Sequence, residues 1–315
     1  MKRKNNLYDN IYKMENIQKA FDEVYRNTKN KRKVRNYREY KCIYISRIYN
    51  ILKDRRYTVG KYNVFTIYEP KERRIVSQGL QDKIINHLVS RYILYPALLP
   101  CLIPSNVASI EGKGSKLGLQ YKREFERKCK IKYGEYYILK CDISKFFASV
   151  DKEILKEKVS KKIKDKEALE IVNKIIDSEE NGLGIGNMTS QVLAVFYLND
   201  LDHYIKEKLH IKYYVRYQDD FLLFHESKEY LKYCLMKIKE FLAKEKLKLN
   251  RKSRIYKSTN NYIFLGRCRN GKYGKYRSVK RKIKYKKFLY KNKNISLTNL
   301  INSLRCYEYL IKKQK

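Results

Sequence analysis

Apolar residues recur along this chain with two periods, and the switches between them lay out its elements. Over 15–29, Ile17, Ala20, Phe21, Val24 and Tyr25 share one helical face. A second helix is predicted over about 38–53, after a basic linker from Lys29 to Arg35. Tyr62 to Tyr68 alternates as a strand ending at Glu69-Pro70, and a turn at Lys71-Glu72-Arg73-Arg74 leads into a returning strand at Ile75-Val76. Leu80, Ile84, Ile85, Leu88 and Val89 predict an amphipathic helix to about Leu94, stopped by Pro96 and Pro100.

The second half is richer in strands. Tyr136 to Asp142 reads as a buried strand that closes on a carboxylate. Helices follow over about 152–163 and 166–177, with Leu155, Val159, Val172 and Ile176 among their inward residues. Gly182-Leu183-Gly184-Ile185-Gly186-Asn187 is a glycine turn, and Met188 opens a long helix facing Leu193, Phe196, Leu201 and Ile205 inward. Tyr214–Tyr217 and Phe221–Phe224 form a hairpin broken by Gln218-Asp219-Asp220. Ser227 caps a helix carrying Leu231, Leu235, Ile238 and Leu242. Strands are expected near Leu247–Leu249 and over Tyr262–Gly266, and a last helix over about 296–312. This βααβαβ-like order predicts an α+β fold: an antiparallel sheet backed by helices, in which the end of the Asp142 strand and the tip of the hairpin can meet.

That meeting would gather three carboxylates. Two adjacent like charges persist either in open solvent or because a cation neutralises them, and Asp142 taken alone could also be a helix cap. Three carboxylate oxygen donors prefer Mg²⁺ or Mn²⁺. Two such ions, roughly 3.5–4 Å apart, serve in-line phosphoryl transfer. Arg73 and Arg74 suit a solvated turn or an anion such as a triphosphate. Gly112-Lys113-Gly114 could bring its backbone close to a phosphate.

Composition adds a partner. Among 315 residues, 73 Lys plus Arg against 33 Asp plus Glu give a net charge of +40, which points to nucleic acid. AT-rich coding sequence would also raise Lys, Asn, Ile and Tyr together, but acidic residues have not risen to match. A hydrophobic fraction of 43% excludes a disordered polycation. Seven scattered cysteines without a C-x-x-C pair argue against a disulfide framework. With no apolar run of about 18 residues and no signal segment at the N-terminus, a cytoplasmic protein without membrane association is expected. The run Arg267 to Lys293 interleaves tyrosines with cations, Lys275 and Lys282 among them, and suits either a basic linker or a single-stranded or hybrid nucleic acid.

At these residues the chain resembles the reverse transcriptases. Asp142 followed by Phe146-Phe147 looks like their motif A, Gly182 to Gln191 their motif B, Tyr217-Gln218-Asp219-Asp220 their Y-x-D-D motif C, and Phe264-Leu265-Gly266 their primer grip. The resemblance spans about 60–270 and implies a right-hand polymerase with a ferredoxin- or RRM-like palm sheet. Its expected divisions are an N-terminal helical extension (1–55), fingers (56–135, with 152–190 packing between fingers and palm), palm (136–266), and a basic connection with a short helical thumb (267–315). It implies Asp142, Asp219 and Asp220 as catalytic carboxylates and ligands of two Mg²⁺ or Mn²⁺ ions, the Ile143 carbonyl joining them. Nucleotide contacts would come from Arg73, Arg74, Phe147, Ile185, Gly186 and Gln191, and nucleic-acid contacts from Lys113, Tyr217, Leu265, Gly266, Lys275 and Lys282.

Phe147 aligns with the bulky family residue that excludes a ribose 2′-hydroxyl and so favours dNTPs. Where most bacterial members carry Gln before the second motif B glycine, this chain has Ile185, and Ile-Gly-Asn-Met-Thr-Ser-Gln is similar to the diversity-generating-retroelement enzymes of the group II intron-like lineage. That likeness implies a bacterial or phage-encoded enzyme, error-prone at template adenines. Its partners would be an RNA template, a DNA or RNA primer, dNTPs and a small basic accessory protein oligomer. A phage-defence enzyme making protein-primed or untemplated DNA would share the same site. A non-catalytic RNA-binding subunit of a ribonucleoprotein would need the charge alone.

Overall fold

A computed structural model of the chain describes residues 3–28, 31–67, 73–269 and 276–312. The expected turn residues Tyr68 to Glu72, and Lys275, lie outside the described residues.

The N-terminal part is helical. It comprises α1 (Met14–Asn27), α2 (Lys31–Glu39) and α3 (Lys41–Lys53). The stretch expected to be a basic linker is thus mostly helix α2, because Lys and Arg are good helix formers and Arg35 pairs with Glu39 one turn on, at 3.0 Å. A two-stranded antiparallel hairpin follows, β1 (Asn63–Ile67) with β2 (Arg73–Ser77). Arg73 and Arg74 therefore belong to strand β2, opposite Ile67 and Thr66, and not to the turn. Helix α4 (Leu80–Val89) does not stop at Pro96. Ser90–Leu94 continues as one wider turn, and Pro96 sits in the first turn of the next helical segment, where its missing N–H is tolerated.

After helix α5 (Ser115–Tyr133), β3 (Tyr137–Asp142) enters a four-stranded antiparallel sheet. The helices α6 (Lys152–Ser160), α7 (Lys166–Asp177) and α8 (Met188–Tyr197) come next. The carboxylates of Asp151 and Asp165 cap α6 and α7 by accepting the Ile154 and Ala168 N–H groups, each at 3.0 Å. The hairpin β4 (Tyr213–Tyr217) and β5 (Asp220–His225), helix α9 (Lys228–Lys244) and β6 (Arg254–Lys257) complete the sheet, in the order β4-β5-β3-β6. The strand expected near Leu247–Leu249 is only a single bridge between Leu249 and Ile143; Arg254–Lys257 makes the ladder instead. Two further helices, α10 (Tyr276–Lys291) and α11 (Leu297–Lys312), pack on each other.

The sheet is apolar on both faces because its side chains alternate between two cores. Leu139, Cys141, Phe221 and Leu223 face the large helical core. Ile138, Val215, Leu222 and Phe224 face Phe125 and Cys129 of α5, with Tyr262 and Phe264. Among the described residues no helix is long and apolar enough to cross a membrane.

Inside this apolar frame lies an ion pair that is wholly buried. Arg216, on β4, donates from Nε to Asp202 Oδ1 at 2.7 Å and from Nη2 to Oδ2 at 2.5 Å, and both side chains have no exposure. Burial opposes the Arg216 charge, yet Asp202 more than offsets it and holds its pKa above the usual value. Arg216→Met would strand the Asp202 carboxylate and should cost about 3–5 kcal/mol of folding stability, whereas Arg216→Met with Asp202→Leu should recover most of it. Urea unfolding checks this; if the single and double variants were equally unstable, the pair would matter only as packed volume.

Candidate active site

Period-2 geometry puts Lys140 and Asp142 of β3 on the same face, beyond Ile138. Asp142 stands directly opposite Asp220 in the β3–β5 ladder. The hairpin turn is only Gln218-Asp219, since Asp220 already belongs to β5, and Gln218 adopts φ 56°. Three contacts fix this turn. Arg216 Nη1 donates to the Gln218 carbonyl at 3.0 Å, the Gln218 amide donates to Ser109 Oγ at 2.7 Å, and the Ile143 N–H donates to the Asp219 carbonyl at 3.2 Å. The expected carboxylates are thus adjacent along two neighbouring chain segments.

Each in-register carboxylate already has a nitrogen partner. Asn250 Nδ2 donates to Asp142 Oδ2 at 3.0 Å, and its N–H donates to the Asp142 carbonyl at 2.7 Å. Lys140 is ion-paired with Asp220 Oδ1. Burial pushes the Asp220 carboxyl up to about 6; Lys140 pulls it down, and Asp142 and Asp219 push it up. Among the described residues no three His, Cys, Asp or Glu side chains form a ready cation cage. Two facing carboxylates, a third in the adjoining turn and the backbone oxygens around them nevertheless make a donor set suited to a hard divalent ion. A cation entering here would take over oxygens now engaged by Lys140 and Asn250.

The glycine loop lies against both motif A and the first hairpin. Leu183 N–H donates to the Phe147 carbonyl at 2.7 Å, and Val76 N–H donates to the Ile185 carbonyl at 3.3 Å. Phe147 and Ile185 are half-buried. A Cβ on Gly182 would lie 2.2 Å from the Phe147 carbonyl oxygen, and one on Gly186 3.2 Å from that of Val76, so backbone meets backbone here. Arg73 and Arg74 are exposed on β2, and the Arg74 charge acts on the buried Glu179 behind the loop.

Gln191 and Tyr217 line a cleft of about 330 Å³ together with Met188, Ser109, Lys113 and Gly114. The Lys113 ammonium donates to the carbonyls of Pro104 and Asn106, at 3.0 and 3.2 Å, and burial lowers its pKa. Tyr262–Gly266, expected as a strand, ends instead in a tight turn, with Leu265 and Gly266 at φ 49° and 77° between reciprocal Phe264–Arg267 hydrogen bonds of 3.0 and 2.9 Å. Lys282 lies on α10, its Nζ 5.9 Å from the centre of the Tyr307 ring.

Sequence reasoning missed Lys140, Asn250 and the Arg216–Asp202 pair. Arg216 had a visible signal, a cation inside an otherwise apolar strand. Lys140 had only its spacing of two from Asp142, and Asn250 had none.

An antiparallel sheet here presents paired carboxylates beside a glycine loop and a basic hairpin. Residues 28–268 match the family model described as reverse transcriptase (RNA-dependent DNA polymerase), and the chain belongs to that family. Its fold is similar to apo telomerase from Candida tropicalis truncated from its C-terminal domain, with a TM-score of 0.53 and 15% identity over 69% of this chain and 56% of that one. It is also similar to Candida albicans telomerase in complex with a TWJ fragment of telomeric RNA, with a TM-score of 0.52 and 14% identity over 82% and 54%. The chain spans a little over half the length of these telomerase chains. No curated protein matches it.

Gly182 and Gly112 both have positive φ, 59° and 75°, but only Gly182 is crowded. Left-handed backbone should cost either Ala variant about 1–2 kcal/mol. The clash with Phe147 should add about 1–3 kcal/mol for Gly182→Ala alone. Equal losses in thermal unfolding of the two variants would mean that the loop yields freely.

Proposed function

We propose that this protein copies an RNA template into DNA, extending a DNA or RNA primer with dNTPs. The observation that carries this reading is the Asp142–Asp220 register, with Asp219 in the adjoining turn. These three carboxylates and the Ile143 carbonyl would hold the ions. When bound, two Mg²⁺ or Mn²⁺ ions supply activation of the primer hydroxyl and charge neutralisation at the leaving pyrophosphate.

The chain's own residues arrange the reactants. Arg73 and Arg74 hold the incoming triphosphate, as exposed guanidinium groups on a strand tied to the glycine loop. Phe147 fills the space a ribose 2′-hydroxyl would need. Gly186 lets the template–nucleotide pair approach the backbone, with Gln191 and Tyr217 lining the cleft beside it. The Leu265-Gly266 turn supports the primer, and the cations around Lys113, Lys275 and Lys282 with the net charge of +40 attract the nucleic acid. In this reading, 56–135 serve as fingers, 136–266 as palm and 267–315 as thumb. Asp219→Ala should abolish extension of a DNA primer on RNA with dNTPs, and the wild type should use rNTPs poorly; undiminished extension by the variant would sink the assignment.

We further propose that synthesis is error-prone at template adenines, serving retroelement mutagenesis with a small basic accessory protein. Ile185 motivates this, because an aliphatic side chain before Gly186 offers no polar check on the nascent pair. Since the Ile185 contact to Val76 is made by its backbone carbonyl, Ile185→Gln should keep the fold and lower misincorporation opposite adenine severalfold. Sequencing of the cDNA decides; identical error spectra would detach this residue from fidelity.

A further inference from the structure

The partners of the two facing carboxylates differ in charge. Asp142 accepts from a neutral amide, that of Asn250, whereas Asp220 is contacted by the Lys140 ammonium. Lys140 and Asp220 are 20% and 22% exposed, so water screens their attraction only in part. The Lys140 Nζ also lies 6.0 Å from the centre of the Phe264 ring, next to the Leu265-Gly266 turn. Lys140 thus stands between the carboxylates and the turn assigned to the primer.

We propose that Lys140 is a built-in counter-cation that competes with the divalent ion for Asp220 and so sets how tightly the site holds its metal. The inference rests on the polymerase reading above. An ammonium in contact with Oδ1 neutralises the carboxylate and occupies lone pairs that an ion would use. An arriving divalent cation must displace it or accept a weaker ligand. Displacement is open to Lys140, whose flexible four-carbon stem lets the ammonium move while the Phe264 ring stays beside it. Asn250 leaves the full charge on Asp142, so the two carboxylates contribute unequally to affinity, and Asp220 contributes the less while Lys140 is in place. Lys140 is accordingly a positioning residue.

The test is Mn²⁺ binding to the full chain, read from the free-ion EPR signal. Lys140→Met should bind Mn²⁺ about tenfold more tightly, as expected when a competing unit charge is removed from a half-buried site. Lys140→Arg should stay at the wild-type value. Asp220→Asn should weaken binding in the wild type and erase the gain in Lys140→Met, a non-additivity that general destabilisation would not produce. Unchanged or weaker binding by a folded Lys140→Met variant overturns the proposal. Should that variant fail to fold, Lys140→Gln takes its place, and unchanged or weaker Mn²⁺ binding by it overturns the proposal equally. Wild-type primer extension, run alongside, separates the two readings: extension without the Lys140 effect removes only the counter-cation, and the effect without extension removes only the polymerase.

Discussion

The hairpin that carries Asp219 and Asp220 depends on a buried ion pair. Arg216 and Asp202 are fully enclosed, and removing two charges from water costs several kcal/mol for each ion unless nearly every donor and acceptor is used. Nearly all are. Asp202 also accepts from the Tyr214 hydroxyl at 2.7 Å and the Asn106 amide at 3.5 Å, while Arg216 Nη2 reaches the Val195 carbonyl of α8 at 3.0 Å. The Arg216 backbone adds bonds to Ser105 and Val107, of 3.1 and 3.0 Å, which cover the outer edge of β4. One arginine, through side chain and backbone together, thereby joins the hairpin, the helix of the glycine loop and the segment leading to Gly112. Apolar residues could fill this volume, but they could not hold the Gln218 carbonyl and with it the turn that carries Asp219.

A second constraint is electrostatic. The sheet face that carries Asp142 and Asp220 is apolar at its other end, where Ile138, Leu222 and Phe224 pack on α5. Continuity with that core is what desolvates Asp220 and raises its pKa. A chain of net charge +40 could place cations around such a carboxylate at random, yet the contact comes from Lys140, two residues from Asp142 on the same strand. Cation and carboxylate are brought together by one ladder register.

Much of this was legible in the sequence. The apolar runs ending at Asp142 and flanking Gln218-Asp219 mark β3, β4 and β5, because burial on both faces demands continuous apolar strands. The carboxylate triplet followed from the same runs. Misreadings fell where local signals were weak: a cationic helix with little apolar face looked like a linker, and arginines in an exposed strand looked like a turn. Asn250 belongs to a polar stretch without periodicity, and only the long-range bridge of Leu249 to Ile143 places it on Asp142. Lys140 and Arg216 were visible as residues, but their partners depend on register and on a helix crossing, which one-dimensional patterns do not encode.

The glycine loop shows how a fold can leave room for changing an activity. Its contacts to Phe147 and Val76 are made by backbone groups; Gly182 is required because a Cβ there would meet backbone oxygen, and Gly186 because its φ of 125° suits only glycine. The side chain of Ile185 takes no part in those bonds. Under the polymerase reading, the loop's position against the nucleotide is therefore set by glycines and carbonyls, while the chemical character presented by residue 185 varies independently. Selectivity for the base pair could then drift without loss of stability. A residue whose backbone carries the loop's hydrogen bonds and whose side chain makes none of them is where an enzyme of this architecture would change fidelity at least cost to its fold.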